Sequence, residues 1–454
     1  MEYYEKLLKQ AENAVSKKNY RYALSFTDNV LIHDAENTRA LKLKVGCLYN
    51  LKNYSQALRV FNRLLAVDDS NVDVRLYNRI FENYEHEKEN LKSPDFYLEE
   101  FKESISDNKL KKAEILLNQI LTLDYTRYGE INTLARELSR NGAYTKAILY
   151  YDESDFIHRN YDALTGKADA LFELLAMDAD SMSGDEFGIR YHAIMDLFNQ
   201  AAELDKKAIL LKAEKHSILG EYDLENKCYV EYLDKLSPSD EEYSEILLKI
   251  GLNNVNLNKT SEAIETFDKY LSIDKNSVDA LFNRALTYYE NKEYEKAADD
   301  FERLLKLNPL DYNTVLYASK AYIQMSQFDK ALECYDEFIK KTDDDNFKTV
   351  FYDVYFAKAQ LLANLQQFEQ SHNELSKIPF HYFTKAEEKF YDYVVDHIDA
   401  GSTGFYAVTL TDFNDYNWAY SYIENEIFKR LYAVELDELE EEVRERGLLW
   451  SEIF

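Results

Sequence analysis

The stretch Tyr294-Glu-Lys-Ala297-Ala-Asp-Asp-Phe301 sets the reading of the whole chain. An aromatic residue stands three places before an alanine, and a ring follows four places after it. The first half of this pattern recurs as Tyr20-Arg-Tyr-Ala23, Tyr54-Ser-Gln-Ala57, Tyr144-Thr-Lys-Ala147 and Phe328-Asp-Lys-Ala331. Ala23 and Ala57 are 34 residues apart, as are Ala113 and Ala147; Ala263, Ala297 and Ala331 repeat the interval twice. The ring four places on is Phe61, Tyr151, Phe267, Phe301 or Tyr335, and a short residue lies twelve places before: Ala11, Val45, Ala135, Gly251, Ala285, Ser319. A fixed period of this length is the mark of a repeat architecture.

Spacings of three and four place these residues on one face of a helix. A short residue on one helix facing an alanine on the next lets two antiparallel backbones approach closely, and the rings fill the space between neighbouring pairs. Breakers fall between the helices, at Ser237-Pro238, Asn308-Pro309 and 274–277, where Asn276 or Ser277 is placed to cap the helix that follows.

The pattern resembles the tetratricopeptide repeat family, most closely over Gly251–Asp343, with Pro309 at the closing position of a repeat. Degenerate copies extend the resemblance: Phe96–Tyr125 with Leu110 and Ala113, Tyr161–Asp205, Ala208–Ser237 with Glu225 in the alanine slot, and Asp353–Ile378 with Ser371 there. About ten repeats are expected. The fold implied is all-α, a right-handed superhelical solenoid of antiparallel helix pairs with a C-terminal helical cap. Residues 1–70 hold two repeats, 71–160 an extra helix (71–90) and two repeats, and 161–240 degenerate repeats with an inserted loop at 178–188. Residues 241–380 hold the best-formed array and 381–454 an acidic capping region, which closes the stack.

Composition agrees. Among 454 residues there are 4 prolines and 11 glycines, too few turn-formers to punctuate a β-rich fold of this size. A formal net charge of −30 argues against nucleic acid and against an anionic membrane surface as partners. It leaves a basic or an apolar protein or peptide, although the same charge also keeps a long chain soluble. Cys47, Cys228 and Cys334 are too sparse for a disulfide framework, the first residues carry no apolar signal core, and no apolar run is long enough to span a membrane. A cytoplasmic protein is expected; nothing in the sequence bears on oligomeric state.

With the phase set by the alanines, the first helices present Phe282, Asn283, Leu286, Tyr289, Leu316, Tyr317, Lys320, Ile323, Phe356 and Gln360 on a concave side. Such a wall is expected to take an extended or helical peptide, with rings as anchors and Asn283, Lys320 and Gln360 fixing its backbone. Packing of the rings on one another, or of the chain's own C-terminal helices in the groove, stays open. The resemblance also brings to mind the carboxylate clamp with which some family members hold an acidic chaperone tail. Of its residues only Asn283 is present; Leu248, Leu252, Asn313 and Tyr317 occupy the other slots, so the cations that would grip a carboxylate are missing.

No enzyme motif is present and no cofactor or metal is expected. The 8 histidines occur singly, and Asp178, Asp180 and Asp185 fall short of a calcium loop because Met182 and Ser183 occupy ligand and glycine positions. Gly401-Ser-Thr-Gly404 lacks the lysine of a phosphate loop and reads as a turn between helices, with a short strand at Phe405–Leu410 as the less favoured alternative. The acidic helix-former at 435–446 and the tail Leu448–Phe454 fit a cap or a docking segment. The alternative to a non-catalytic binding protein is an enzyme or regulatory protein whose activity resides in 385–454, with the repeats as a targeting module.

Overall fold

The computed structural model describes residues 2–69, 73–342, 351–379 and 382–399, and among these are 22 α-helices and no strand. It is an all-α repeat solenoid divided into two compact units, residues 1–257 and residues 258 onward.

The first unit pairs α1 (Glu2–Ser16) with α2 (Tyr20–His33) and α3 (Thr38–Asn50) with α4 (Tyr54–Val67). A single helix, α5 (Val74–Glu89), follows where the sequence suggests an extra one. Then come α6 (Pro94–Ser106) with α7 (Leu110–Leu123), and α8 (Tyr128–Arg140) with α9 (Tyr144–Ile157). Next are α10 (Tyr161–Asp178) with α11 (Gly184–Ala202), α12 (Ala208–Ile218) with α13 (Tyr222–Leu233), and α14 (Glu241–Asn256). The second unit holds α15 (Thr260–Ile273), the pairs α16 (Val278–Glu290) with α17 (Tyr294–Leu307), α18 (Tyr312–Gln324) with α19 (Phe328–Thr342), and α20 (Tyr352–Asn364) with α21 (Phe368–Leu375), and finally α22 (Lys385–Asp399).

Residue size drives the pairing. Ala23, Ala57, Ala113, Ala147, Ala263, Ala297 and Ala331 all have no exposed surface, and neither do Ala11, Ala135, Ala285 and Ser319. The rings Phe61, Tyr151, Phe267, Phe301 and Tyr335 are buried beside them. Where a hydroxyl takes a small slot it is satisfied across the pair: Ser371 Oγ donates to the Ala359 carbonyl at 2.8 Å.

Each tight turn has one conformational rule. Five residues before the alanine slot the backbone is left-handed: Lys18, Lys52, Asn108, Gly142, Gly220, Asn258, Lys292, Ser326 and Gln366 all have positive φ. This position ends the first helix with paired bonds; at α16 the Lys292 N–H donates to the Tyr289 carbonyl and the Glu293 N–H to Tyr288. The second turn type is capped by side chains. Asn37 accepts from the Ala40 N–H, Ser277 from Ala280 and Asp311 from Thr314.

The expected loop at 178–188 is a correction. Asp178 ends α10, residues 179–181 form one 3-10 turn, and Ser183 caps α11, so Gly184 and Gly188 lie inside that helix. Burial of Tyr191, Ile194, Met195 and Phe198 outweighs the two glycines. The residues 401–404, 405–410, 435–446 and 448–454, and the capping role given to them, lie outside the described residues; α22 itself packs on α21 and buries Phe390 and Val394.

Within the first unit the extra helix returns the chain on itself. Second helices α2 and α4 meet α9 and α7, and the contact is polar at its centre. Arg59 on α4 donates to Glu153 on α9 (2.6 Å), Asn118 on α7 (2.9 Å) and Ser55 (2.7 Å), while Thr122 on α7 donates to Ser55 at 2.7 Å. On α5, Tyr84 donates to the Thr122 carbonyl and Glu87 accepts from the Ser55 N–H.

Neighbouring pairs are also joined by ion pairs in a repeated register. The cation directly precedes a small first-helix residue, and the acid follows the preceding alanine by five. Lys44 meets Asp28 at 2.8 Å, Lys167 meets Asp152 at 2.6 Å, and Lys358 meets Asp336 at 2.6 Å. Arg284 meets Asp268 and also holds the buried Asp300 through two bonds of 2.7 Å.

Two stability predictions follow from these contacts. Lys292→Gly should stabilise the protein by roughly 0.5–1 kcal/mol and Gly142→Ala destabilise it by a similar or larger amount, read as denaturation midpoints. Arg284→Met should cost about 3 kcal/mol by leaving the buried Asp300 carboxylate only its 3.4 Å contact with Arg303, and Asp300→Asn in the same chain should recover part of it. Additive effects of these two substitutions would show that the pair is not coupled.

Candidate interaction surface

In the second unit the first helices α16, α18 and α20 lie side by side. They carry the ten residues singled out from the sequence, and the structure sorts them. Phe282, Asn283, Leu286, Tyr289, Tyr317, Lys320, Ile323 and Gln360 are half-buried. Leu316 and Phe356 are interior instead, at 3% and 5% exposure. Most of the circumference of α18 is buried, Val315 and Leu316 along with Ala318, Ala321 and Tyr322. Phe356 is covered by α22, whose Phe390 ring meets it edge-on at 5.4 Å.

The half-buried rings form a connected ladder. Tyr294 meets Tyr289 edge-on at 5.4 Å, Tyr289 meets Tyr317 at 6.2 Å and Tyr317 meets Phe282 at 5.9 Å. Behind them Phe301 stacks on Tyr317 at 6.1 Å. These geometries are favourable for aromatic pairs and fix the rings without ligand. Lys320 Nζ lies 4.6 Å from the centre of the Tyr317 ring, so a cation rides on the middle of the ladder. The Asn283 amide donates to the Asp279 carbonyl one turn earlier, which leaves its side-chain oxygen as the group that faces outward chemistry.

Three further recesses belong to the first unit. One of about 460 Å³ is walled by Arg136, Arg140, Tyr144, Asp162 and Glu173, with Tyr151 at its base. Gly166 is required there, because a Cβ at this position would collide with the Tyr151 ring. A second, of about 250 Å³, lies beside Arg59 where α4 meets α9 and is lined by Asp28, Lys44, Arg63, Tyr125 and Tyr150. The third lies between α12 and α14, next to Glu225. In the sequence Glu225 is a departure from the alanine pattern, and its burial is a property that spacing does not encode.

The nucleophiles and bases are held in quiet environments. Burial pushes the Cys47 and Cys334 thiols up to about 11, so neither is an activated thiolate near neutral pH. His33 is lowered to about 4 by burial and by Arg190. His216 is buried with Nδ1 2.7 Å from the Tyr191 hydroxyl and 2.8 Å from Glu221, which serves to tie α11 to the turn after α12. Among the described residues no group of three His, Cys, Asp or Glu is arranged to hold a metal ion, and no helix is long and apolar enough to cross a membrane.

Comparison with known proteins gives two kinds of likeness. No curated protein is significantly similar in sequence. Among solved structures, "Crystal structure of MamA" is 18% identical, covering 42% of this chain and 97% of that one with a TM-score of 0.31. MamA from Desulfovibrio magneticus RS-1 is 16% identical, covering 44% and 98% with a TM-score of 0.32. The pilF protein of Pseudomonas aeruginosa is 15% identical, covering 49% and 94% with a TM-score of 0.30. In sequence, residues 244–277 and 278–311 match two family models described as tetratricopeptide repeat, successive and in the phase set by Ala263 and Ala297. Residues 244–311 of the chain are thus two successive tetratricopeptide repeats.

Proposed function

We propose that the protein is a non-catalytic, cytoplasmic scaffold that binds a polypeptide partner along the first helices of its second unit, on the concave side of that array. Repeats of this family act broadly as protein-interaction scaffolds, and the ring ladder is the observation that carries the reading for this chain. Tyr289, Phe282 and Tyr317 are only half-buried, yet already locked by one another, so little side-chain freedom is lost when a partner covers them. Lys320 beside Tyr317 and the Asn283 side-chain oxygen supply polar contacts for a peptide backbone, and Leu286 and Ile323 an apolar floor. Leu316 and Phe356 support this face from beneath. The net charge of −30 favours a partner with basic or apolar character. In this proposal residues 1–70, 71–160 and 161–240 form a scaffold, 241–380 the binding array, and 381–454 its acidic closing region.

Affinity capture from native lysate with the full chain, followed by titration of the captured partner, tests this. Tyr317→Ala should weaken binding by about 1 kcal/mol or more, roughly fivefold in Kd. Lys320→Ala, which leaves the ring ladder intact, should weaken it in the same direction. Unchanged affinity in both variants would remove this face from the site.

A further inference from the structure

One alanine slot is filled by a carboxylate. In the pair α12/α13 the phase is set four times over: Gly220 has φ +68° five places before, Tyr222 stands three before, Tyr229 four after, and Ala213, with no exposed surface, twelve before. The residue in register with Ala23, Ala57, Ala113, Ala147, Ala263, Ala297 and Ala331 is Glu225, and it is 4% exposed. Its Oε1 accepts the Tyr229 hydroxyl at 2.8 Å, while Oε2 is buried with no hydrogen-bond partner. A carboxylate withdrawn from water in this way is costly unless a cation or donor reaches it.

Glu225 lines a cavity of about 250 Å³. Leu210 and Leu211 give it an apolar wall, Ser217 a hydroxyl, Tyr229 a ring, and Lys249 of α14 closes the far side. Lys249 lies in the same lining, with its Nζ 6.0 Å from the centre of the Tyr229 ring, but it is engaged with Glu245 Oε1 on its own helix at 3.0 Å. Glu214, on the same wall, faces Lys215 at 3.6 Å. The cavity thus offers apolar surface that ends on a buried carboxyl group with one oxygen lacking a hydrogen-bond partner.

We propose that the cavity beside Glu225 binds an alkylammonium or alkylguanidinium group, its charged end at the Glu225 carboxyl and its alkyl stem against Leu210 and Leu211. The Ser217 oxygen accepts a second N–H. The group belongs either to a Lys or Arg side chain of a bound polypeptide or to a free amine. The inference is independent of the ring ladder in the second unit, since it rests on different residues and a free amine alone satisfies it.

The test uses the full chain. Agmatine and cadaverine serve as free amines, and a blocked peptide with a central Lys is compared with the same peptide carrying norleucine. Saturable binding of either amine, or of the Lys peptide but not its norleucine twin, supports the site and tells the two sources apart. Glu225→Gln should weaken that binding about tenfold or more. Glu225→Ala, which restores the ordinary residue of the slot, should abolish binding while raising the melting temperature above that of the parent. Several results would overturn the proposal. One is that no probe binds the parent; another is that Glu225→Gln binds as tightly, as expected of diffuse attraction to an acidic protein. A Glu225→Ala variant that melts below the parent would also overturn it, by making Glu225 a structural residue whose partner is Lys249.

Discussion

The constraint on which everything else rests is the near contact of two helix backbones across a pair of small side chains. Helix axes come together this closely only where nothing longer than a methyl or hydroxymethyl group intervenes. That condition is met at Ala285 against Ala297 and at Ser319 against Ala331, none of which keeps any exposed surface. Once the pair is closed, the ring four places beyond the alanine has a fixed gap to fill, and Phe301 and Tyr335 fill it. The left-handed residue five places before the alanine then follows from geometry, because the chain must reverse within two or three residues. Lysine, asparagine, glutamine and serine take this conformation less readily than glycine, at a cost of order 1 kcal/mol each that the stack tolerates.

Stacking of pairs adds a second layer of specificity. Apolar faces of repeated helices are similar to one another, so they select a register weakly. Lys44 with Asp28, Lys167 with Asp152, Arg284 with Asp268 and Lys358 with Asp336 pin successive pairs at one offset. In the first unit the same chemistry serves another purpose. Arg59 satisfies three acceptors on three helices where second helices face each other, a contact that purely apolar surfaces would make without orientation.

How far the fold is legible in the sequence depends on what the period encodes. The period records residue size, so the alanine slots, the helix pairs and even the degenerate pair at Ser371 can be read in advance. It does not record partners that are far apart in the chain: Arg59 and Glu153 are separated by 94 residues, and no spacing relates them. The loop expected at 178–188 overweights Gly184 and Gly188, since a cap at Ser183 and four buried apolar residues on one stripe carry α11 through them. Leu316 and Phe356 were assigned by helix face alone. A first helix with neighbours on both sides buries more than half its surface, and the cover that α22 gives Phe356 cannot be inferred from the repeat. The carboxylate at Glu225 is legible as an exception, but only burial turns the exception into chemistry.

Amide hydrogen exchange across the full chain tests the central contact most directly, with the parent compared with Ala331→Leu. If stability is built pair by pair on these small residues, exchange should accelerate in α18, α19 and the pairs next to them, and stay at parent rates in α1 to α4. Uniform acceleration along the whole chain, or none near residue 331, would contradict the account.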